Sequence, residues 1–382
     1  MSEPREFLNA ALIGQPDSRR ALATPALGVD VRAFKRNVAA MQEHCNRAGL
    51  KLRAHAKTHK SVTIARKQIE AGAVGQCCAK LGEAEALAEG GIDGLLVTSP
   101  VVARQGFARI AKLNARLDDF MIVADSAVCV DGYAGAARDG GKRLKVLVDI
   151  DIGLHRTGVM PGEAALQLAK RAAASPHLQF MGLQGYAGQL QHVPEFPDRR
   201  SQSLAALKLL GETRDLLIAN GLPCPIVSGG GTGTYNIDAE ARVFTELQAG
   251  SYIFMDKQYC EVKIANAAPL PFESALFVQT TVISANMPGL ATTDAGLKSF
   301  ATEAGSPVIH SGAPSGASYF FFGDEQGGIM LGGADKRLEP GSIVNCTAPH
   351  CDPTVNLYDA YHVVDGGRLV EIWPIEGRGR SA

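Results

Sequence analysis

Lysine is the side chain that forms imines with carbonyl cofactors, and Lys57, within RAHAKTHK, stands at the end of a short strand-like run. Arg53, His55, His59 and Lys60 crowd around it, and nearby positive charge favours the neutral amine an imine needs. Taken alone, such a lysine is more often a solvated surface charge. A different chemistry lies in VSGGGTGTY, residues 227–235, where Ser228, Gly229, Gly230, Gly231 and Thr232 offer backbone N–H groups and hydroxyls to an anion. A flexible turn is the plain alternative there. Gly250, Ser251 and Tyr252 in ELQAGSYIF add a second set of donors. DIDIGLHRTGV carries Arg156, and GLQGYAGQLQH carries Tyr186 and His192. Arg156 and Tyr186 are read as cofactor contacts, against a surface charge and a rim packing residue. In PHCDPT, His350 and Asp352 are two apart, so an extended backbone projects both to one face. One imidazole and one carboxylate suit Mn²⁺ or Mg²⁺ with waters better than a thiolate-rich zinc site. A lone His-x-Asp pair is also common on surfaces.

These residues need elements to position them. From about Lys51 to Phe254, eight short apolar runs alternate with helix-like stretches: KLRAHAK, VGQCCAK, GLLVTS, FMIVAD, LKVLVDI, LQFMGLQGY, PIVSGGG and ELQAGSYIF. In SQSLAALKLLGETRDLLIANG, Leu204, Leu207, Leu210 and Leu217 have the spacing of one buried helix face. Eight strand-helix units predict parallel strands with right-handed crossovers, and hence a (β/α)8 barrel. An open doubly wound sheet is the alternative, but its glycine-rich turn belongs after the first strand, and here it follows the seventh. Barrel catalytic groups sit at the C-terminal ends of strands, and phosphates commonly bind the loops after strands seven and eight. Lys57 ends the first strand, Arg156 follows the fifth and Tyr186 the sixth. A phosphate across the barrel mouth from a strand-end lysine points to a phosphorylated aldehyde cofactor. From about Ala267 the pattern changes to short strands (ALFVQTTVIS, PVIHSG, ASYFFFG, GSIVNCTA, YHVVDGGRLVEIWPI) split by Gly, Pro and Asp turns, predicting a mainly antiparallel β domain. The expected division is a barrel over 32–265, with 1–31 and 266–382 forming a discontinuous β domain that carries the metal pair.

Composition narrows the function classes. The net charge of −1 gives no electrostatic case for nucleic acid. No run approaches the roughly 20 apolar residues of a membrane helix. The N-terminal stretch lacks a sustained apolar core, which argues against a secretory signal. Eight cysteines without a CxxC or disulfide-scaffold density predict buried thiols in a reduced, cytoplasmic chain.

Together, RAHAKTHK, VSGGGTGTY, ELQAGSYIFMD and HCDPT resemble the fold-type III pyridoxal-phosphate enzymes acting on D-amino acids. The resemblance covers essentially the whole chain, from TPALGVDV to the closing IWP. It is to the D-threonine aldolase and D-3-hydroxyaspartate aldolase branch, which is related to D-serine dehydratase. It implies an alanine-racemase-like barrel, a C-terminal β domain and a homodimer. It makes Lys57 the imine lysine and places pyridoxal 5′-phosphate between Arg156, Tyr186 and the loops at Ser228–Gly233 and Gly250–Tyr252. It makes His350 and Asp352 the divalent-metal pair; related dehydratases tend to have cysteine at the position of Asp352. Ala79, Ala187 and Gln326 depart from side chains frequent in the family, which leaves the substrate side chain open. The implied reaction is retro-aldol cleavage of a D-β-hydroxy-α-amino acid to glycine and an aldehyde, with D-threonine and D-allo-threonine as substrates. Metal-bound water, His59 and His192 are candidates for the immediate base. β-Elimination with the same parts is the enzymatic alternative. A non-catalytic pyridoxal-phosphate carrier is the alternative of another class, and residues 267–382 count against it.

Overall fold

The computed structural model describes residues 7–382, so the first six residues of the expected outer segment lie outside it. The chain divides into two compact units. One comprises Ala39–Gly250, Val262–Leu270 and Gly379–Ala382; the other comprises the described residues up to Val38 with Ser251–Glu261 and Pro271–Arg378.

In the first unit, eight parallel strands close into a barrel in chain order: Lys51–His55, Gly75–Cys78, Leu95–Val97, Phe120–Ala124, Leu144–Ile150, Leu178–Gly185, Ile226–Gly229 and Glu246–Leu247. They are barrel strands one to eight below, and the eight predicted runs fall on these eight strands. Parallel strands are covered on both faces, so they need continuous apolar runs, and FMIVA of strand four is buried at every position. Each intervening helix buries one stripe. In Phe196–Ala219, Leu207, Leu210 and Leu217 are buried and Leu204 is half-buried. Cys77, Leu96, Met121, Val123 and Leu147 from neighbouring strands form one apolar cluster, with Met181 and Ile226 packed against it. The barrel also buries charge. Arg53 Nε and Nη2 donate to Glu246 at 2.9 and 3.0 Å, and Nη1 donates to the Gly94 carbonyl at 2.5 Å. Such a pair repays its desolvation only when its polar atoms are met in this way. Gly75 and Gly94 make room for it. A Cβ on Gly75 would stand 1.9 Å from the Gly94 oxygen and 2.6 Å from Arg53 Nη1.

The second unit is a nine-stranded sheet. Ala26–Asp30 pairs antiparallel with Leu276–Ser284 and parallel with Ala360–Asp365, the single parallel pairing in a sheet otherwise antiparallel. Two strands were not among the predicted runs, Leu290–Thr293 and Gly327–Met330. The second opens on Gly327-Gly328, which reads as a turn. Here the glycines face the aromatic strand Ser318–Phe321, and a Cβ would stand 2.0 Å from Tyr319 Oη at Gly327 and 2.3 Å from the Phe320 ring at Gly328. No helix among the described residues is long and apolar enough to cross a membrane.

Candidate active site

Strand one ends at His55, and the chain turns through a 3-10 turn, Ala56–Thr58, that carries Lys57. His55 holds this turn: its Nδ1 accepts from the Lys57 N–H at 3.4 Å, and its Nε2 lies 3.2 Å from Thr98 Oγ1. The expected crowd of positive charge around Lys57 is neutralised by partners. Arg53 is spent on Glu246, and Lys60 Nζ lies 3.5 Å from Glu83 Oε1 with both side chains buried. His59, a candidate base, is fully buried. Its Nδ1 accepts from the Ser61 N–H at 3.0 Å, leaving the proton on Nε2, which faces Gln76 Oε1 at 3.4 Å. That arrangement orients the turn.

The loop after strand five is built on carboxylates. Asp151 accepts from the N–H groups of Gly153 and His155, and Thr157 donates to Asp149 at 2.9 Å. This brings the Arg156 guanidinium over the Tyr186 ring, 5.6 Å from its centroid, a cation–π distance. The two residues predicted to contact one cofactor ring are therefore neighbours.

Near the end of strand seven Ser228 is fully buried, and just past it Gly230 takes a φ of +73°. Two side chains grip the glycine loop. Asp238 Oδ2 accepts from the Gly231 N–H at 3.3 Å and from Thr234 Oγ1 at 2.7 Å, and Gln191 Oε1 accepts from the Gly233 N–H at 3.0 Å. Burial pushes the Asp238 carboxyl up to about 7, with those two donors pulling the other way. The loop is thus held in shape, contrary to the flexible-turn reading. Gly250 ends the long segment of the barrel unit, and a Cβ there would stand 2.7 Å from Thr58 Oγ1 and 2.8 Å from the His55 carbonyl. Thr58 Oγ1 is buried without a partner among the described residues. An orphaned hydroxyl beside Lys57 and the Gly250 loop, the Ser228 hydroxyl and the loop N–H groups other than those Asp238 and Gln191 take are donors of the kind that fits a phosphate.

In the β unit, His350 and Asp352 are not on an extended segment as expected. His350 is the N-cap of a short helix, Cys351–Val355, and Asp352 lies in its first turn. Pro353 suits this place, because the first turn has N–H groups with no intrahelical acceptor to lose. Asp256 anchors the helix by accepting from the Cys351 N–H at 2.9 Å, and burial raises its carboxyl pKa. His350 Nδ1 lies 2.7 Å from Glu303 Oε1, and Asp352 Oδ1 accepts from Ser251 Oγ at 3.4 Å. Ser251, expected at the phosphate, thus donates to the expected metal carboxylate within the β unit; Tyr252 beside it is fully buried and tilted against Phe272. A carboxylate on Nδ1 is the usual way to aim a metal-binding Nε2. No group of three or more His, Cys, Asp or Glu poised for a metal occurs among the described residues. One imidazole and one carboxylate fall short of a closed site, so a cation held by them would keep waters as its other ligands.

Sequence reading missed Thr58, Asp149, Gln184, Asp238, Gln248 and Glu303. The carboxamides and Asp149 sit in apolar runs, and a polar residue inside a predicted buried strand is the signal that finds them. Glu303 is 47 residues from His350 and carries no such signal.

The alanine racemase N-terminal domain family matches residues 29–258, and a serine dehydratase domain family matches residues 275–364. The chain is 37% identical to 3-hydroxy-D-aspartate aldolase of Paracoccus denitrificans (strain Pd 1222), covering 97% of this chain and 95% of that one. It is 37% identical to D-threonine aldolase of an Arthrobacter species, covering 96% and 95%. The crystal structure of D-threonine aldolase from Filomicrobium marinum superposes with a TM-score of 0.90 at 35% identity, covering 95% of this chain and 97% of that one. The chain belongs to the alanine racemase N-terminal domain family, and within it is a pyridoxal-phosphate-dependent lyase.

Proposed function

We propose that the protein cleaves D-β-hydroxy-α-amino acids between Cα and Cβ, giving glycine and an aldehyde, with D-threonine and D-allo-threonine as substrates. The observation that carries this reading is near-full-length likeness to two aldolases at 37% identity. Lys57 holds the cofactor covalently through its ε-amino group. Ser228, Gly230, Gly231, Thr232, Gly250, Ser251 and Tyr252 receive its phosphate, and Arg156 and Tyr186 flank its ring. Pyridoxal 5′-phosphate, when bound, supplies the electron sink for the charge left on Cα as the bond breaks. His350 and Asp352 hold Mn²⁺ or Mg²⁺, which supplies Lewis acidity toward a substrate hydroxyl; Glu303 fixes the imidazole. The active form is a homodimer.

A coupled assay for acetaldehyde tests the reaction. D-threonine should yield acetaldehyde and L-threonine none; no acetaldehyde from D-threonine would refute the reading. For the metal, chelator or His350→Ala should abolish turnover while the bound-cofactor absorbance persists. Full activity after chelation would remove the metal from the reaction. The second reading, β-elimination, is favoured by the serine dehydratase match over residues 275–364.

A further inference from the structure

A directed hydrogen-bond relay crosses the interior of the barrel beneath the glycine loop. Gln184 on strand six donates through Nε2 to the Thr98 carbonyl at 3.1 Å and to Asp149 Oδ1 at 2.9 Å. Gln184 Oε1 accepts from Gln248 Nε2 at 3.0 Å, and the same Nε2 donates to Ser228 Oγ at 3.0 Å. All four side chains are nearly or fully buried, Gln184 at 3%, Asp149 at 4%, Gln248 at 5% and Ser228 at 0% exposure.

The polarity of this chain follows from one group that cannot reverse. A backbone carbonyl only accepts, so the amide end of Gln184 that faces the Thr98 oxygen must be the nitrogen. Its oxygen then faces Gln248, which must answer with its own nitrogen. The two N–H groups of Gln248 are spent on Gln184 Oε1 and Ser228 Oγ. Ser228 therefore accepts from below, and its hydroxyl hydrogen is left to donate elsewhere.

We propose that Gln248, oriented by Gln184, is a positioning residue that commits the Ser228 hydroxyl to donate to the cofactor phosphate. The inference rests on the reading of Ser228 as a phosphate ligand and goes beyond it by naming what sets the direction of that bond. A serine hydroxyl is equally able to donate or accept, and facing a phosphate dianion only the donating state is attractive. Gln248 makes that state the resting one before any cofactor arrives, so none of the binding energy goes to reorienting it. Asp149 completes the relay, because its carboxylate takes the second N–H of Gln184 and holds that amide against rotation. Gln248 and Gln184 would otherwise be an odd choice inside a barrel core, where an apolar pair of similar volume would pack without needing partners.

The test titrates full-length protein, stripped of bound cofactor, with pyridoxal 5′-phosphate and with pyridoxal, which lacks the phosphate. In Gln248→Glu the carboxylate only accepts, so the Ser228 hydroxyl turns down to donate to it. Affinity for pyridoxal phosphate should fall on the order of tenfold or more, the worth of a hydrogen bond to a charged group. Pyridoxal affinity should hold. Ser228→Ala should lose a similar factor, and adding Gln248→Glu to it should cost little more. Gln248→Leu separates polarity from charge and should lose less than the glutamate variant. Equal losses for pyridoxal phosphate and pyridoxal would mean a structural role and overturn the proposal. Unchanged phosphate affinity in Gln248→Glu, with a loss in Ser228→Ala, would overturn the relay and leave the cradle standing. Unchanged affinity in Ser228→Ala would overturn the cradle assignment itself, and the relay with it.

Discussion

Lys57 carries the account at the scale of single residues, and its neighbours decide how its chemistry is tested. Borohydride reduces an imine to a stable secondary amine, so peptide mapping after reduction should find the phosphopyridoxyl group on Lys57. Label on Lys60 with Lys57 unmodified would contradict the assignment; the buried Lys60–Glu83 pair makes that outcome unexpected. Asp149 gives a second residue-scale prediction. Burial pushes its carboxyl up to about 6, against the pull of the Gln184 and Thr157 hydrogen bonds. Between the ordinary aspartate value near 4 and about 6, the folded chain keeps a proton that the unfolded chain releases. Its stabilising contribution is therefore full below about pH 4 and is lost as pH rises through about 6. Relative to the parent, Asp149→Asn should gain in thermal midpoint between pH 5 and pH 7.5; a difference that stays flat would mean that Asp149 does not titrate there. The places of Lys57, Tyr186 and Ser228 at strand ends, and of Arg156 in the loop after strand five, were legible from the order of the apolar runs. The bonds of Asp149 and Gln248 to Gln184 were not, because only ring closure brings these side chains together.

Among the elements, the eight barrel strands were legible because parallel strands demand unbroken apolar runs, and those runs appear between amphipathic helices. Gly327–Met330 was not, because its glycines serve aromatic neighbours on the next strand, a reason that lies outside the segment. The helix at Cys351–Val355 was missed for a related cause. Its N-terminus depends on Asp256, 95 residues away, and the two-residue spacing of His350 and Asp352 read as extended backbone. The glycine loop after strand seven makes the element-scale prediction. A Cβ on Gly233 would stand 1.8 Å from the backbone oxygen of Gln191, so the loop must shift. Gly233→Ala should therefore shed cofactor absorbance on gel filtration. Gly135 is the control: it lies in the helix Ala127–Asp139 and a Cβ there meets nothing within 4 Å. Gly135→Ala should keep its cofactor and gain about 0.5–1 kcal/mol in urea denaturation. Cofactor retention by Gly233→Ala would show that the loop shape is not what holds it.

The whole molecule combines a barrel unit carrying Lys57 with a β unit carrying His350 and Asp352, and the substrate question belongs to this scale. The second unit's long segment begins at Pro271, after the change in strand pattern near Ala267, and the membership of Ser251–Glu261 in that unit was invisible in a sequence that runs on without a break. Aldol cleavage and elimination use the same cofactor and differ in which bond weakens first. A hard-donor pair at His350 and Asp352 suits a cation that stabilises a developing alkoxide, which favours breaking Cα–Cβ. A thiolate at position 352 would favour zinc, so Asp352→Cys should lose aldolase activity. The most direct measurement is to incubate the holoenzyme and a divalent metal with D-threonine and to quantify glycine and 2-oxobutanoate in the same sample. Glycine, matched by acetaldehyde, should account for the threonine consumed; 2-oxobutanoate and ammonia as the main products would contradict the account.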